Sequence, residues 1–287
     1  MRVGVVGTGE MGLAMAGHIR DKGFAVSCHD VSVERMELAA ERGIGTAADL
    51  GILAGEADVF ILAVATDEQV VVTAQELADR AGEGTVIVIA ATVNPDTVRN
   101  LGPQLAGRGK HVVDAPVVYG SLGAREGTLL SLCGGEEADI EHVRPVLACY
   151  SGRGVMRVGP LGAGQVAKSC NNLLHWVHCV ANFETLLIAK RYGIDAQRMR
   201  EILLECPGTN GTLRRWDTTR FTWQEKDMDL TLDLAQKAGL MLPLAGQVDQ
   251  IIKSLSAADV KALLYEKETT YLGGRVGAMT AEEGGLS

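Results

Sequence analysis

The N-terminal stretch Val3-Gly-Val-Val-Gly-Thr-Gly-Glu-Met-Gly12 decides the fold of this chain. A short apolar run predicts a β-strand, and Gly7, Gly9 and Gly12 follow it at the spacing GxGxxG. The first glycine permits a tight turn, the second lets a pyrophosphate approach the backbone, and the third permits close packing of helix and strand. The N-terminus of the next helix then faces the phosphates. This pattern predicts a dinucleotide site made of the whole turn: Gly7, Thr8, Gly9, Glu10, Met11 and Gly12.

An acidic residue stands where such a site needs one. Asp30 follows the second apolar run, Ala25 to Cys28, and lies 18 residues after Gly12. Its carboxylate would accept hydrogen bonds from the ribose hydroxyls of NAD and would repel the 2′-phosphate of NADP. The next residues, Val31 and Ser32, supply no arginine to bind that phosphate. The sequence therefore predicts NAD as the cofactor.

Strand and helix patterns alternate through about residue 160 and then change. Four short runs are nearly continuous in apolar residues, as expected of parallel strands covered by helices on both faces: Val3–Val6, Ala25–Cys28, Val59–Val64 and Thr85–Ala90. Beyond Pro160 helical periodicity takes over. These patterns predict an α/β chain with an N-terminal Rossmann dinucleotide-binding domain over residues 1–160 and an all-helical C-terminal domain over residues 161–287. The glycine-rich end, Gly273–Ser287, predicts a segment without regular structure.

Composition excludes several classes of partner. The net charge is -9 and no run is rich in lysine or arginine, which argues against nucleic acid or an anionic membrane as a partner.

The six cysteines form no CxxC pair and no Cys/His spacing suited to zinc, so no metal site is predicted. The chain opens with the predicted strand rather than with a targeting pattern. These features predict a cytoplasmic protein.

Five motifs follow one another along nearly the whole chain. They are Gly7–Met15, similar to GxGxMGxxMA; Ala91–Pro95, similar to STxxP; Asp114–Thr128, similar to DAPVSGGxxGAxxGT; Gly162–Asn172, similar to GxGxxxKxxNN; and Lys226-Asp227 with Leu230, similar to KDLxLA. In this order they resemble the motifs of the β-hydroxyacid dehydrogenase family, which includes 3-hydroxyisobutyrate dehydrogenase.

The resemblance implies an NAD-dependent oxidoreductase. Its reaction would transfer a hydride between nicotinamide and a β-hydroxyacid, or the matching semialdehyde or ketoacid. Lys168 would donate and accept the proton at the substrate oxygen, and Asn172 would hold the substrate. Thr92 and Lys226 would contact the cofactor, and Asp227 would support the substrate site. The helical domain would also form a homodimer or homotetramer.

The residues themselves agree with that assignment. Lys168, Asn172 and His175 lie at i, i+4 and i+7, so they share one face of the predicted helix, and Trp176 lies beside them. Partial burial disfavours the charged form of a lysine and moves its pKa toward the range of a general acid and base. Because His175 shares the helix face of Lys168 and Trp176 lies beside it, we predict that both residues line the substrate pocket. Val64, at the end of the third predicted strand, completes the predicted cofactor site.

The chain departs from the family pattern in the substrate loop. Val118 and Tyr119 replace the Ser-Gly pair, while Gly120 remains. Since the family's serine binds the substrate carboxylate, its loss removes one hydrogen-bond donor. The three residues predict a substrate that is larger, or less purely carboxylate-directed, than 3-hydroxyisobutyrate. The ring of Tyr119 could stack on an aromatic tail, its hydroxyl could replace the missing donor, or it could pack against its own domain.

Two other functions fit the same scaffold. One is an imine reductase, and the presence of Lys168 argues against it because such relatives usually lack that lysine. The other is a catalytically silent NAD-binding scaffold protein. The joint presence of Lys168, Asn172 and Lys226 argues against a silent protein. An NAD-dependent dehydrogenase remains the main prediction.

Overall fold

The computed structural model describes residues 1–280, and the chain divides into two compact units, residues 1–168 and 169–287. The division falls within one long helix, α8 (Ala163–Arg191).

The first unit alternates strands and helices. Several helices begin at a side chain that accepts a hydrogen bond from the first turn, as Ser32, Asp49, Thr66 and Asn94 do. The elements before α8 are, in chain order, β1 (Arg2–Val6), α1 (Glu10–Asp21), β2 (Ala25–His29), α2 (Val33–Glu41), β3 (Gly45–Thr46), α3 (Leu50–Glu56), β4 (Val59–Leu62), α4 (Asp67–Arg80), β5 (Val86–Ile89), α5 (Pro95–Ala106), β6 (His111–Asp114), β7 (Val117–Val118), α6 (Gly120–Glu126), β8 (Leu130–Gly134), α7 (Glu137–Leu147) and β9 (Gly154–Gly159).

The sheet has a parallel part with the order β3-β2-β1-β4-β5-β6. The strand order reverses at β1, because β2 pairs on one side of it and β4 on the other. In an open α/β sheet the ligand binds beyond the carboxyl ends of the strands at such a reversal. The turn after β1 lies at this place. The predicted Rossmann architecture is confirmed.

Each face of the sheet carries its own hydrophobic core. In β4, Val59 and Ile61 belong to one cluster, and Phe60 and Leu62 belong to the other. All four side chains are fully buried because helices cover both faces of the sheet. This double coverage explains why the predicted strands read as continuous apolar runs.

An antiparallel extension carries the chain past the carboxyl edge. Strand β8 pairs with the end of β6 at Asp114↔Gly134 and with β7 at Val118↔Leu130. Strand β9 pairs with β8 in parallel, starting at Leu130↔Gly154. The two pairing levels on β8, at Leu130 and Gly134, are four residue steps apart, which corresponds to about 13 Å. The loop that follows β7 therefore projects beyond the edge where a dinucleotide binds.

The second unit is mainly helical, which confirms the predicted helical domain except at its C-terminal hairpin. Its core contains the buried side chains of Trp176, Phe183 and Trp216. After α8 come α9 (Ala196–Leu204), α10 (Gly211–Arg214), a 3₁₀ turn (Trp216–Thr218), α11 (Gln224–Lys237), α12 (Pro243–Ile252), α13 (Ala257–Tyr265), β10 (Thr269–Tyr271) and β11 (Gly274–Val276).

The hairpin β10–β11 was not expected from the sequence. Leu272 and Gly273 form its two-residue turn, with φ values of +49° and +80°. Positive φ at both positions matches the twist of a hairpin. Tyr271 anchors the hairpin by stacking on Phe183, with 5.4 Å between ring centroids. The prediction of an irregular segment is therefore wrong for Gly274–Val276, and residues 281–287 lie outside the described part of the chain.

Candidate active site

Two glycines of the GxGxxG turn are required by close approach of the backbone. Gly7 has φ +89°, and a Cβ there would lie 2.7 Å from the carbonyl oxygen of Ala63. A Cβ on Gly12 would overlap the carbonyl oxygen of Gly7. Helix α1 therefore starts directly against the end of β1, as the sequence pattern predicts.

The remaining glycine leaves space for a ligand. A Cβ on Gly9 would meet no atom within 4 Å. Gly9 is also the N-cap residue of α1, and no side chain of the described residues accepts a capping hydrogen bond there. Glu10 is exposed and Met11 is partly exposed in the first turn. An open helix N-terminus of this kind suits a pyrophosphate, so the turn fits NAD.

Asp30 lies directly after β2 and is held by the same turn. Its Oδ2 accepts hydrogen bonds from the backbone N–H (2.6 Å) and hydroxyl (3.2 Å) of Thr8, and its Oδ1 accepts one from the N–H of Ser32 (2.9 Å). Partial burial opposes ionisation of Asp30, but these hydrogen bonds outweigh it and hold its pKa below the usual value. Thr8 is fully buried. Thr8 thus positions an ionised carboxylate beside the turn.

Val64 and Thr92 lie just past the carboxyl ends of β4 and β5, and both are partly exposed. The side-chain amide of Gln165 holds the backbone on both sides of Thr92. It accepts a hydrogen bond from the N–H of Val93 (3.1 Å) and donates one to the carbonyl of Ala91 (2.9 Å). Because Gln165 is fully buried, this bridge is shielded from water.

The start of α8 is anchored to the sheet by Asp114, the last residue of β6. Its Oδ1 accepts a hydrogen bond from the N–H of Gly162 (2.6 Å), and its Oδ2 accepts one from the N–H of Gln165 (2.9 Å). Burial raises the pKa of the Asp114 carboxyl group, although the same hydrogen bonds lower it. Lys168 follows on the next turn of the helix and is partly exposed.

Sequence analysis missed Asp114 and Gln165 as positioning residues. Their hydrogen bonds join positions that are 48 to 74 residues apart. One local signal points to the anchor, namely an aspartate that directly follows an apolar run. We name the hydrogen bonds that Asp114 and Gln165 make to Ala91, Val93, Gly162 and Gln165 the α8 anchor.

The substrate loop has an unusual backbone. Val118 ends β7 and is buried, whereas Tyr119 is 36% exposed. Tyr119 has φ 85° and ψ 3°, a left-handed conformation that costs a non-glycine residue about 1–3 kcal/mol. Gly120 follows with φ +59° and begins α6. The ring of Tyr119 carries the guanidinium of Arg153, whose Cζ lies 4.1 Å from the ring centroid.

In the second unit, two predicted substrate residues have polar partners. Asn172 is buried, and its Oδ1 accepts a hydrogen bond from Nδ2 of Asn171 (3.1 Å). Nδ1 of His175 lies 3.0 Å from the hydroxyl of Thr212, and its Nε2 lies 3.8 Å from Sγ of Cys179. These contacts fix the orientation of the imidazole.

Trp176 connects α8 to α11. Its indole N–H donates a hydrogen bond to Oδ2 of Asp227 (3.1 Å), and its ring is buried. Phe221 packs between Trp176 and Trp216, with centroid distances of 6.0 Å and 6.5 Å. Lys226 precedes Asp227 in the first turn of α11 and is partly exposed. Trp176 thus orients Asp227 from inside the core of the unit.

Two kinds of functional feature are absent from residues 1–280. In this part of the chain, no group of three or more His, Cys, Asp or Glu side chains is arranged to hold a metal ion. Among the same residues, no helix combines the length and the apolar composition needed to cross a membrane.

Two protein families match consecutive parts of the chain. Residues 2–159 match the family described as the NAD binding domain of 6-phosphogluconate dehydrogenase. Residues 162–264 match the family described as NAD-binding of NADP-dependent 3-hydroxyisobutyrate dehydrogenase. The first match alone covers more than half of the chain.

Individual proteins support the same assignment. The chain is 31% identical over 207 residues to the mitochondrial 3-hydroxyisobutyrate dehydrogenase of Drosophila melanogaster, in a match that covers 72% of this chain and 64% of that protein. It resembles the structure of a Mycobacterium tuberculosis 3-hydroxyisobutyrate dehydrogenase with L-serine, at 25% identity and a TM-score of 0.82, covering 92% of this chain and 100% of that one. An imine reductase from Myxococcus stipitatus shares the fold at 17% identity and a TM-score of 0.66, covering 88% of this chain and 92% of that one. The chain therefore belongs to the β-hydroxyacid dehydrogenase family and is an NAD-binding oxidoreductase of the CH–OH class.

Proposed function

We propose that this protein transfers a hydride between NAD and a small β-hydroxyacid, or the matching semialdehyde or ketoacid, with Lys168 as general acid and base. The observation that carries the proposal is the α8 anchor. It attaches the helix that bears Lys168 to the carboxyl edge of the sheet. Since dinucleotides bind beyond that edge, the anchor supports a place for Lys168 next to the cofactor.

The proposed roles follow from the chemistry of each group. Bound NAD supplies the acceptor for the hydride of the carbinol carbon. Uncharged Lys168 accepts the hydroxyl proton during oxidation, and its ammonium form returns that proton during reduction. Asn172 holds the substrate, and Asp227 supports the substrate site. Lys168 and Asn172 are the residues we assign to catalysis.

Other residues are assigned by their place in each unit. The remaining substrate contacts would come from Val118, Tyr119, Gly120, His175 and Trp176. The cofactor would contact the turn Gly7–Gly12, together with Asp30, Val64, Thr92 and Lys226. The turn and Asp30 have the firmest support, because Gly9 leaves open space and hydrogen bonds hold Asp30 ionised.

We also propose two functional domains, residues 1–160 for NAD and 161–287 for substrate and oligomerisation. The two family matches, which end at residue 159 and begin at residue 162, support this division. We further place the protein in the cytoplasm. All six cysteines are free thiols, as suits a reducing compartment.

A screen of NAD reduction tests the proposed function. Small and aromatic β-hydroxyacids, with and without an α-amino group, are offered to the full chain, and NADH formation is followed by absorbance. Cyclic imines with NADH or NADPH form the comparison arm. Turnover of at least one hydroxyacid supports the proposal, whereas turnover of imines alone contradicts it.

Cofactor preference gives the first prediction. We expect kcat/KM to be at least about tenfold higher with NAD than with NADP, because ionised Asp30 would repel the 2′-phosphate by roughly 1.4 kcal/mol or more. Steady-state kinetics with both cofactors at one substrate concentration provide the measurement. Equal efficiencies would refute the role of Asp30.

We propose that the protein forms a homodimer or homotetramer through its helical unit. Helix α8 and the residue that follows it expose large apolar side chains at Leu174 (59%), Ile188 (62%) and Tyr192 (67%). At 100° per residue these three positions share one helix face. A row of exposed apolar side chains on one helix is typical of a protein interface.

This oligomer gives a second prediction. The double variant Leu174→Glu/Ile188→Glu should have a lower molar mass in light scattering after gel filtration, because like charges would face each other across the interface. Val72→Glu is the matched control, since Val72 is also 62% exposed but lies on α4. A wild-type monomer would rule out the proposal.

A further inference from the structure

The guanidinium of Arg153 forms no ion pair within the described residues. Its side chain is exposed, and its guanidinium lies over the ring of Tyr119. Among residues 1–280 the guanidinium has no carboxylate or hydrogen-bond partner. A guanidinium offers five N–H donors and a positive charge. Such a group is available to an anionic ligand.

The position of this pair is set by the antiparallel extension. Val118, next to Tyr119, pairs with Leu130, and Gly154, next to Arg153, pairs with the same residue of β8. Both side chains therefore lie at one level, about 13 Å beyond the carboxyl edge. That side of the sheet is where we place the substrate.

The pair is also held rigidly. The N–H of Arg153 donates a hydrogen bond to the carbonyl of Leu129 (3.0 Å), and the preceding Gly152 donates one to Gly127 (2.9 Å). Tyr119 packs closely against α6, because a Cβ added to Gly123 would lie only 2.8 Å from the Cβ of Tyr119. Tyr119 keeps this place in a left-handed conformation that favours glycine. A strained residue that supports an unpaired cation points to a role in binding.

We propose that Arg153 binds a carboxylate of the substrate, with Tyr119 as the residue that positions it. This inference rests on the proposed function and identifies the determinant of acid specificity. Val118 offers no hydroxyl to a carboxylate, whereas a guanidinium offers two parallel N–H donors and a positive charge. The ring of Tyr119 holds the guanidinium by a cation–π contact.

The test compares an acid with its uncharged primary amide. For the best hydroxyacid of the screen, Arg153→Met should raise KM about 30-fold with little change in kcat, because a charge-assisted hydrogen-bond pair is lost. The KM of the matching hydroxyamide should not change. The KM of Arg153→Lys for the acid should lie between those of the wild type and Arg153→Met, since an ammonium is charged but lacks the planar fork. An unchanged ratio of acid to amide in Arg153→Met would overturn the proposal.

Three variants separate binding from structure. Arg157→Met removes an exposed arginine further along β9 and should keep the wild-type ratio. Tyr119→Phe keeps the ring under the guanidinium, so the ratio of acid to amide should stay close to that of the wild type. Tyr119→Gly relieves the left-handed strain but removes the ring, so the melting temperature should not fall while KM for the acid rises. A rise in KM only together with loss of stability would contradict a positioning role.

A binding measurement keeps this inference separate from the proposed function. Isobutyrate and 3-phenylpropionate, each with its amide, are titrated calorimetrically into the NAD-saturated protein. Tighter binding of an acid than of its amide, lost in Arg153→Met, would support the carboxylate site even if no hydroxyacid is oxidised. Equal binding of acids and amides by the wild type would overturn it even if a hydroxyacid is oxidised.

Discussion

Replacing Lys168 with alanine is expected to lower turnover by about 100-fold or more and to leave NAD affinity nearly unchanged. Alanine supplies no group that accepts the hydroxyl proton as the carbonyl forms. The side chain is partly exposed, so its removal leaves no cavity in the core. The measurements are kcat and kcat/KM for the best hydroxyacid and the dissociation constant of NAD from tryptophan fluorescence.

Two companion variants make this result specific. Lys168→Arg keeps the positive charge but does not release its proton at neutral pH, so it should be as inactive as the alanine variant. Lys261→Ala removes an exposed lysine of α13 and should keep wild-type turnover. If Lys168→Ala retained near wild-type turnover, another group would have to transfer the proton.

The second large effect is expected at Asp114. Replacing it with alanine leaves the buried N–H groups of Gly162 and Gln165 without their acceptor, at a cost of roughly 1–3 kcal/mol for each group. We expect the free energy of unfolding to fall by about 2–5 kcal/mol in urea titrations followed by circular dichroism. Turnover should fall as well, because the helix start that positions Lys168 loses two of the hydrogen bonds that attach it to the sheet.

Asp67 provides the matched control for Asp114. Its carboxylate also accepts two hydrogen bonds at the start of a helix, from the N–H of Asn94 (2.9 Å) and from the hydroxyl of Thr97 (2.5 Å). Asp67 is partly exposed, so water can replace its oxygens in Asp67→Ala and the loss of stability should be smaller. Equal losses in the two alanine variants would show that burial of the Asp114 anchor is not the reason for its effect.

The strands of the NAD-binding sheet were predicted closely from the sequence. The predicted run Val59–Val64 corresponds to the observed strand Val59–Leu62, and the predicted run Ala25–Cys28 corresponds to the observed strand Ala25–His29. Strand β4 is buried on both faces and is apolar at every position, so its own residues reveal it. The proposed role of Asp30 was predictable from its distance to the GxGxxG turn.

The substrate loop was only partly predictable. The replacement of a Ser-Gly pair by Val118 and Tyr119 was visible in the sequence, but the partner of the tyrosine ring was not. Arg153 lies 34 positions further along the chain, and the pairing of β8 with β7 and β9 brings the two together. The hairpin at Leu272-Gly273 was missed because its turn lacks the usual Asn-Gly signal.

By itself, the sequence determined the dinucleotide turn, the strands β1, β2, β4 and β5, the change to helices after residue 160, and the family to which the chain belongs. These features depend on residues that are neighbours along the chain, where glycine spacing and apolar periodicity reflect local geometry. Only the tertiary structure decided that Asp114 and Gln165 attach α8 to the sheet and that Arg153 rests on Tyr119. A buried hydrogen bond or a ring contact depends on which distant segment the fold brings within a few ångströms, and no local pattern records that distance.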